Sequence, residues 1–193
     1  MYYSFESWGL GQICKMLRRA RARKKQIQYQ IGNGLQEIFN IIFIPMEVKN
    51  LIQFFDRDID RLMTEIESYG DEKNLWTTTG QITNSAGNLA LHLVGNLKHF
   101  IGKEIGGYDY QRDREFEFAG KDVPRAELLK EINSCKNQVI VSLEGMDDSL
   151  LSKNYPLEVF GHQMDHGFFL LHLYGHLNYH LGQISYHRRF LDN

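Results

Sequence analysis

From Val48 onward the apolar residues return every three or four positions: Val48, Leu51, Ile52, Phe55, Ile59, Leu62, Met63 and Ile66 share one helical face. Asp56, Arg57, Asp58 and Arg61 lie on the other sides, so the pattern predicts an amphipathic helix ending near Gly70. It recurs three times. After a polar turn over Asp71–Gly80, residues Leu89, Leu93, Leu97, Phe100 and Ile101 mark a second helix over 81–104, stopped by Gly106-Gly107. Leu128, Leu129, Ile132, Cys135, Val139, Ile140 and Leu143 mark a third, with Asp122 as its expected N-cap, Pro124 in its first turn and Glu144-Gly145 at its close. The fourth spans 163–190. Phe168, Phe169, Leu170, Leu171, Leu173, Tyr174, Leu177, Leu181 and Ile184 surround it, which predicts the most buried helix of the set.

The connections also constrain the fold. Tyr108–Asp122 is charged and aromatic, has no period, and exceeds the about 2–8 residues usual between bundle helices, so it can cross the bundle. Residues 146–162 form a second long connection, in which Pro156–Phe160 is expected to make a short extended piece. Four helices without a strong strand pattern specify an all-α antiparallel four-helix bundle, an architecture that builds ligand sites from side chains on facing helices.

Charge divides the chain in two. Residues 1–45 carry seven basic and two acidic residues, a net +5, and residues 46–193 carry 15 basic and 22 acidic, a net −7. An acidic body offers no face to a phosphate backbone, which excludes nucleic acid as a ligand of the main domain. The basic run Arg18–Lys25 would repel itself as a helix, and no apolar period precedes Gln36. It is open to reading as a basic arm for nucleic acid or anionic lipid, as a targeting segment, or as sequence upstream of a functional start at Met46. The last is preferred, so residues 1–45 are expected to be an N-terminal extension outside the domain at 46–193. Two cysteines, Cys14 and Cys135, make no disulfide framework, and no apolar run approaches the about 20 residues of a membrane span. A cytoplasmic protein with no membrane partner is expected. Cys135, on the apolar face of the third helix, reads as an inert buried thiol.

Eight histidines stand out, and all lie in the acidic part: His92 and His99 on the second helix, and His162, His166, His172, His176, His180 and His187 on or just before the fourth. Four residues apart on a helix, His176 and His180 can aim two imidazoles at one point. His162/His166 and His172/His176 share that spacing, so spacing alone does not choose a pair. A third imidazole from a facing helix would leave a divalent ion with open positions for water or substrate. His92, at the inner edge of the second helix's apolar stripe, suits that role; His99, two turns on, does not.

The words Leu91-His92-Leu93-Val94-Gly95-Asn96-Leu97 and His176-Leu177-Asn178-Tyr179-His180-Leu181-Gly182-Gln183-Ile184 resemble those of the DinB family. That family includes YfiT-like metal hydrolases and bacillithiol- and mycothiol-dependent transferases and isomerases, and folds as a four-helix bundle with a long crossover between the second and third helices. The resemblance covers 46–193 and implies that His92, His176 and His180 bind one divalent metal, zinc or nickel. It implies a metal-dependent enzyme acting on a small molecule, in which the metal activates a water or a low-molecular-weight thiol such as bacillithiol for hydrolysis or thiol transfer. A homodimer paired through helix faces is also implied, and the nearly all-round apolar fourth helix leaves surface for it. The alternative is a non-catalytic helical bundle that binds a metal or a partner. The position before the first helix-four histidine, often acidic in relatives, is Gly175 here, and no acid lies between Asp165 and Asp192 on that helix. Any carboxylate at the site must come from elsewhere, and no catalytic residue beyond the ligands is assigned. Gly182 is expected to admit a close neighbour, and Gln183 to hydrogen-bond near the site. The run Arg112-Asp113-Arg114-Glu115 reads as a solvated charged loop, or as a contact for an anionic substrate group.

Overall fold

The computed structural model describes residues 18–19, 21–32 and 46–192, and the chain divides into two compact units, Met1–Pro45 and Met46–Asn193. In the first unit residues 21–32 form helix α1, so the basic run is helical where repulsion predicted otherwise. Arg, Lys and Gln are good helix formers, and these side chains are exposed, where water and salt screen like charges. Cys14 and the apolar stretch after Leu35 lie outside the described residues.

The second unit is built from long helices around one core. Helix α2, Val48–Glu67, buries Val48, Leu51, Phe55, Ile59, Leu62 and Ile66 against α5 (Arg125–Glu144) and α6 (His166–Leu191). Asp58 does not stay on the solvated side. Its side chain is fully buried and accepts hydrogen bonds from Arg57, Arg61 and the Tyr174 hydroxyl of α6.

Helix α3 spans Ala86–Leu97 and continues as a π-helical stretch, Lys98–Lys103. It starts at Ala86 and not at the expected 81 because the Ser85 hydroxyl caps it, accepting from the Asn88 backbone N–H at 3.2 Å. Every residue of α3 is buried, which corrects the expectation that the fourth helix is the most enclosed. The cause is small residues. Gly87 lies under Trp76, so close that a Cβ there would stand 2.6 Å from the ring, and α4, α5 and α6 all pack on this helix. On α6, by contrast, Phe168, Leu171, Tyr179, Tyr186 and Phe190 are exposed.

The segment after α3 contains a further helix, α4, Arg114–Ala119, where no period was visible. Asp113 caps it through a 2.9 Å bond from the Phe116 N–H, and Glu115 and Glu117 favour its positive N-terminal end. Helix α5 is preceded by Pro124 and not by Asp122, whose φ of 57° lies in the left-handed region and cannot lead into a helix. Cys135 is buried on α5, and burial pushes its thiol up to about 12. The connection to α6 holds a short 3-10 turn, Asp148–Ser152, and an isolated Asn154–Asp165 bridge; Pro156–Phe160 is not a strand. Among the described residues every regular element is helical, and no helix is long and apolar enough to cross a membrane.

Candidate metal centre

His92 reaches the site from the middle of α3, and His176 and His180 reach it from successive turns of α6. One nitrogen from each ring lies within 4.8 Å of the other two. His176 Nε2 stands 3.2 Å from His92 Nε2 and 3.1 Å from His180 Nε2, so three Nε2 atoms face one point. His92 is buried and the α6 pair is half-buried. The other histidines are elsewhere. His187 receives the Tyr69 hydroxyl on Nδ1 at 2.7 Å and donates from Nε2 to the Thr77 carbonyl at 2.9 Å, and His166 donates to the Lys153 carbonyl. His99 sits on the π-helical stretch against Phe100, and His172 stacks on Phe169.

The outer nitrogens decide what the inner ones present. His92 Nδ1 lies 2.9 Å from Glu117 Oε2, a carboxylate that can only accept, so the proton is on Nδ1 and the Nε2 lone pair points inward. His180 Nδ1 donates in the same way to Gln183 Oε1 at 2.7 Å, as expected for Gln183. His176 Nδ1 is buried without a hydrogen-bond partner. One proton on His176 Nε2 could satisfy only one of the two facing lone pairs, whereas a cation satisfies all three. Burial, and then the nearness of His180 and His92, hold His176 down to about 4; burial also lowers His180, against the bond to Gln183. Neutral imidazoles are the form a metal requires. The residues present therefore fit a divalent ion.

Glu117 is the residue sequence reasoning missed. It sits on α4, 4% exposed in its side chain, and accepts from Arg112 Nε at 2.7 Å and Arg112 Nη2 at 2.9 Å besides His92. Burial alone would raise its carboxyl, but the bonds from His92 and Arg112 outweigh it and the net shift is downward. Three features hold it there. Arg112 grips it from the preceding loop and also lies over the Phe100 ring; the Asn88 amide donates to the Glu117 and Gly120 carbonyls; and Gly95 leaves the space its carboxylate fills. A Cβ on Gly95 would stand 2.0 Å from Glu117 Oε1. Arg112 is thus not a solvated charge, since two of its three guanidinium nitrogens are bonded to Glu117. No local signal marks Glu117, since Phe116 and Phe118 on either side are exposed and it is the buried residue of the three; the Phe118 ring covers His92 at 4.9 Å between centroids. Gly182 departs from its expected role, since it is exposed with nothing near a would-be Cβ.

Residues 43–193 match the family described as "Protein of unknown function (DUF1572)", and the chain belongs to that DinB-like family. In fold it is similar to a DinB-like protein from Bacillus cereus ATCC 10987, with a TM-score of 0.61 and 15% identity over 76% of this chain and 94% of that one. At that identity the likeness is one of fold. No curated protein matches the chain.

Proposed function

We propose that this chain is a metal-dependent enzyme of the DinB type, holding one zinc or nickel ion on His92, His176 and His180 and acting on a small molecule by hydrolysis or thiol transfer. The observation that carries the reading is the convergence of three Nε2 atoms while Glu117 and Gln183 hold the outer protons of two rings. Imidazole donors suit such ions better than magnesium or calcium, which prefer oxygen. When bound, a divalent ion there supplies Lewis-acid chemistry, lowering the pKa of a water or of a low-molecular-weight thiol such as bacillithiol and polarising the substrate. Glu117 is a positioning residue: Arg112 and His92 occupy both its oxygens, so it orients His92 and is not free to take a substrate proton. Phe118 shields the His92 side from water.

In this reading α2, α3 with its π extension, α5 and α6 form an antiparallel bundle, and the segment bearing α4 is its crossover. Two copies pair through the outer face of α6, where Phe168, Leu171 and Tyr179 are exposed. The protein works in the cytoplasm. Metal content of purified variants tests the centre: His92→Ala, His176→Ala and His180→Ala each lose most of one bound equivalent, and His172→Ala keeps it. Full loading in all four overturns the metal site. The metal-loaded protein is then assayed with bacillithiol and 1-chloro-2,4-dinitrobenzene, and with nitrophenyl esters. Turnover that disappears in His180→Ala supports an enzyme; a loaded protein inert in every assay supports the non-catalytic alternative.

A further inference from the structure

Leu89 lies one turn before His92 on α3, and Gln183 lies one turn after His180 on α6, with its amide oxygen on the His180 ring. Both residues also line a cavity of about 450 Å³, walled further by Ile82, Asn84, Tyr186 and Phe190. Gln183 therefore borders the imidazole cluster on one side and this cavity on the other. A volume of this size is in the range of pockets for small organic ligands.

The chemistry of the lining limits what can enter. Among the described residues no carboxylate, guanidinium or ammonium group lines the cavity; its polar groups are amides and hydroxyls, and its walls are aliphatic and aromatic. His187 faces it with both ring nitrogens already bonded, to Tyr69 and to the Thr77 carbonyl. Arg112, whose Nη2 lies 3.4 Å from His92 Nδ1, bonds Glu117 through Nε and Nη2 and does not line the cavity. Ile82 and Tyr186 are exposed around it and offer apolar surface that an uncharged aromatic covers on binding, whereas a charged ligand finds no counter-charge among the lining residues.

We propose that this cavity binds the body of an uncharged, apolar or aromatic small molecule whose polar end reaches the three-histidine cluster. The first half stands on the cavity, and the second rests on the metal reading. A thiol cofactor carrying several carboxylates does not match this lining, so in a thiol transfer the cavity takes the electrophile.

The probe is N-phenyl-1-naphthylamine, an uncharged aromatic whose fluorescence rises in apolar surroundings, titrated into the full-length protein beside its anionic sulfonate analogue 1-anilinonaphthalene-8-sulfonate. One naphthylamine is expected to bind per chain. Ile82→Asp places a carboxylate in the lining and Thr83→Trp adds bulk to it, and each weakens binding at least about ten-fold. Both positions are exposed, so the fold is kept. Val141→Asp, which puts the same charge on an exposed apolar position of α5, leaves binding unchanged. Copper(II) loading quenches the bound probe, and His180→Ala abolishes that quenching. Equal binding by all variants overturns the cavity assignment, and tighter binding of the sulfonate overturns the uncharged class. Copper that binds without quenching separates cavity from cluster and overturns the proposal while the metal reading stands. Failure to bind copper removes the metal reading and the link to the cluster, and the naphthylamine titration still decides the ligand class.

Discussion

Replacing Glu117 with Ala deletes three hydrogen bonds at once, from His92 Nδ1 at 2.9 Å and from Arg112 Nε and Nη2 at 2.7 and 2.9 Å. His92 loses the acceptor that fixes its tautomer and ring orientation. Loss of such a partner typically weakens metal binding about 10–100-fold, or roughly 1.4–2.8 kcal/mol. Because the carboxylate is buried and charged, the upper end applies, and Glu117→Ala is expected to bind zinc about 100-fold more weakly. Fold stability falls by about 2 kcal/mol as well, between the surface and fully buried limits for an ion pair, since Arg112 is only 13% exposed in its side chain. Gly95→Ala reaches the same end without touching the carboxylate. Its new Cβ would stand 2.0 Å from Oε1 and 2.7 Å from the carboxyl carbon, so Glu117 must leave its seat. The double variant is then expected to bind zinc no more weakly than Glu117→Ala alone, because the second change removes a contact already lost. Competition against a chromogenic chelator, on proteins shown to be folded by circular dichroism, measures all three. Wild-type affinity in Glu117→Ala, or losses that add in the double variant, would refute the reasoning.

Residues 46–193 alone are expected to fold and to keep the metal content of the full chain, checked by circular dichroism and elemental analysis; an unfolded or metal-free fragment makes the basic segment part of the domain. Asp58→Asn is expected to lower stability in urea at pH 7 by about 1–2 kcal/mol through weakened bonds to Arg57, Arg61 and Tyr174. The Arg57 and Tyr174 bonds hold the Asp58 carboxyl well below the usual range against the effect of burial, so its stabilisation is full above about pH 4 and fades as pH falls below that. The difference between wild type and Asp58→Asn is therefore expected to shrink at pH 2–3. Gly182→Ala is expected to raise the melting temperature, by the about 0.5–1 kcal/mol that Ala gains over Gly in an exposed helix interior with empty space around it; a loss would mean that another chain approaches there. Light scattering at micromolar concentration is expected to give the mass of a dimer, and Leu171→Glu that of a monomer.

The helices were legible because their period was, and His176 and His180 because a four-residue step on a helix brings two side chains together. His92 was reached from its angle on α3 and from the surrounding word. What stayed hidden depends on contacts between elements distant in the chain. Glu117 lies 25 residues from His92 and reads locally as one more charge in a charged loop. Six-residue α4 is too short for a period to show. Gly95 looks like a helix-weakening residue until Glu117 is seen beside it. The relative burial of α3 and α6 was misjudged for a related reason: counting large apolar residues measures what a helix would gain by burial, whereas small ones such as Gly87, Ala90 and Gly95 decide how closely its neighbours can approach.

An isolated helix of α4's length has almost no population of its own in water. It exists here because Asn88 and Arg112 latch it to the rest of the molecule, and it is from this borrowed element that His92 receives its acceptor. The strength with which the histidines would hold the proposed ion would then gauge how much of the time the latch is shut. Were the segment open in half the molecules, apparent affinity would fall only about two-fold, and only with the latch shut in roughly one molecule in a hundred would it approach that of a protein with no carboxylate, all three histidines still in place. A chelator titration followed alongside amide exchange at 114–119 would read both sides of that coupling, one from the ion and one from the backbone.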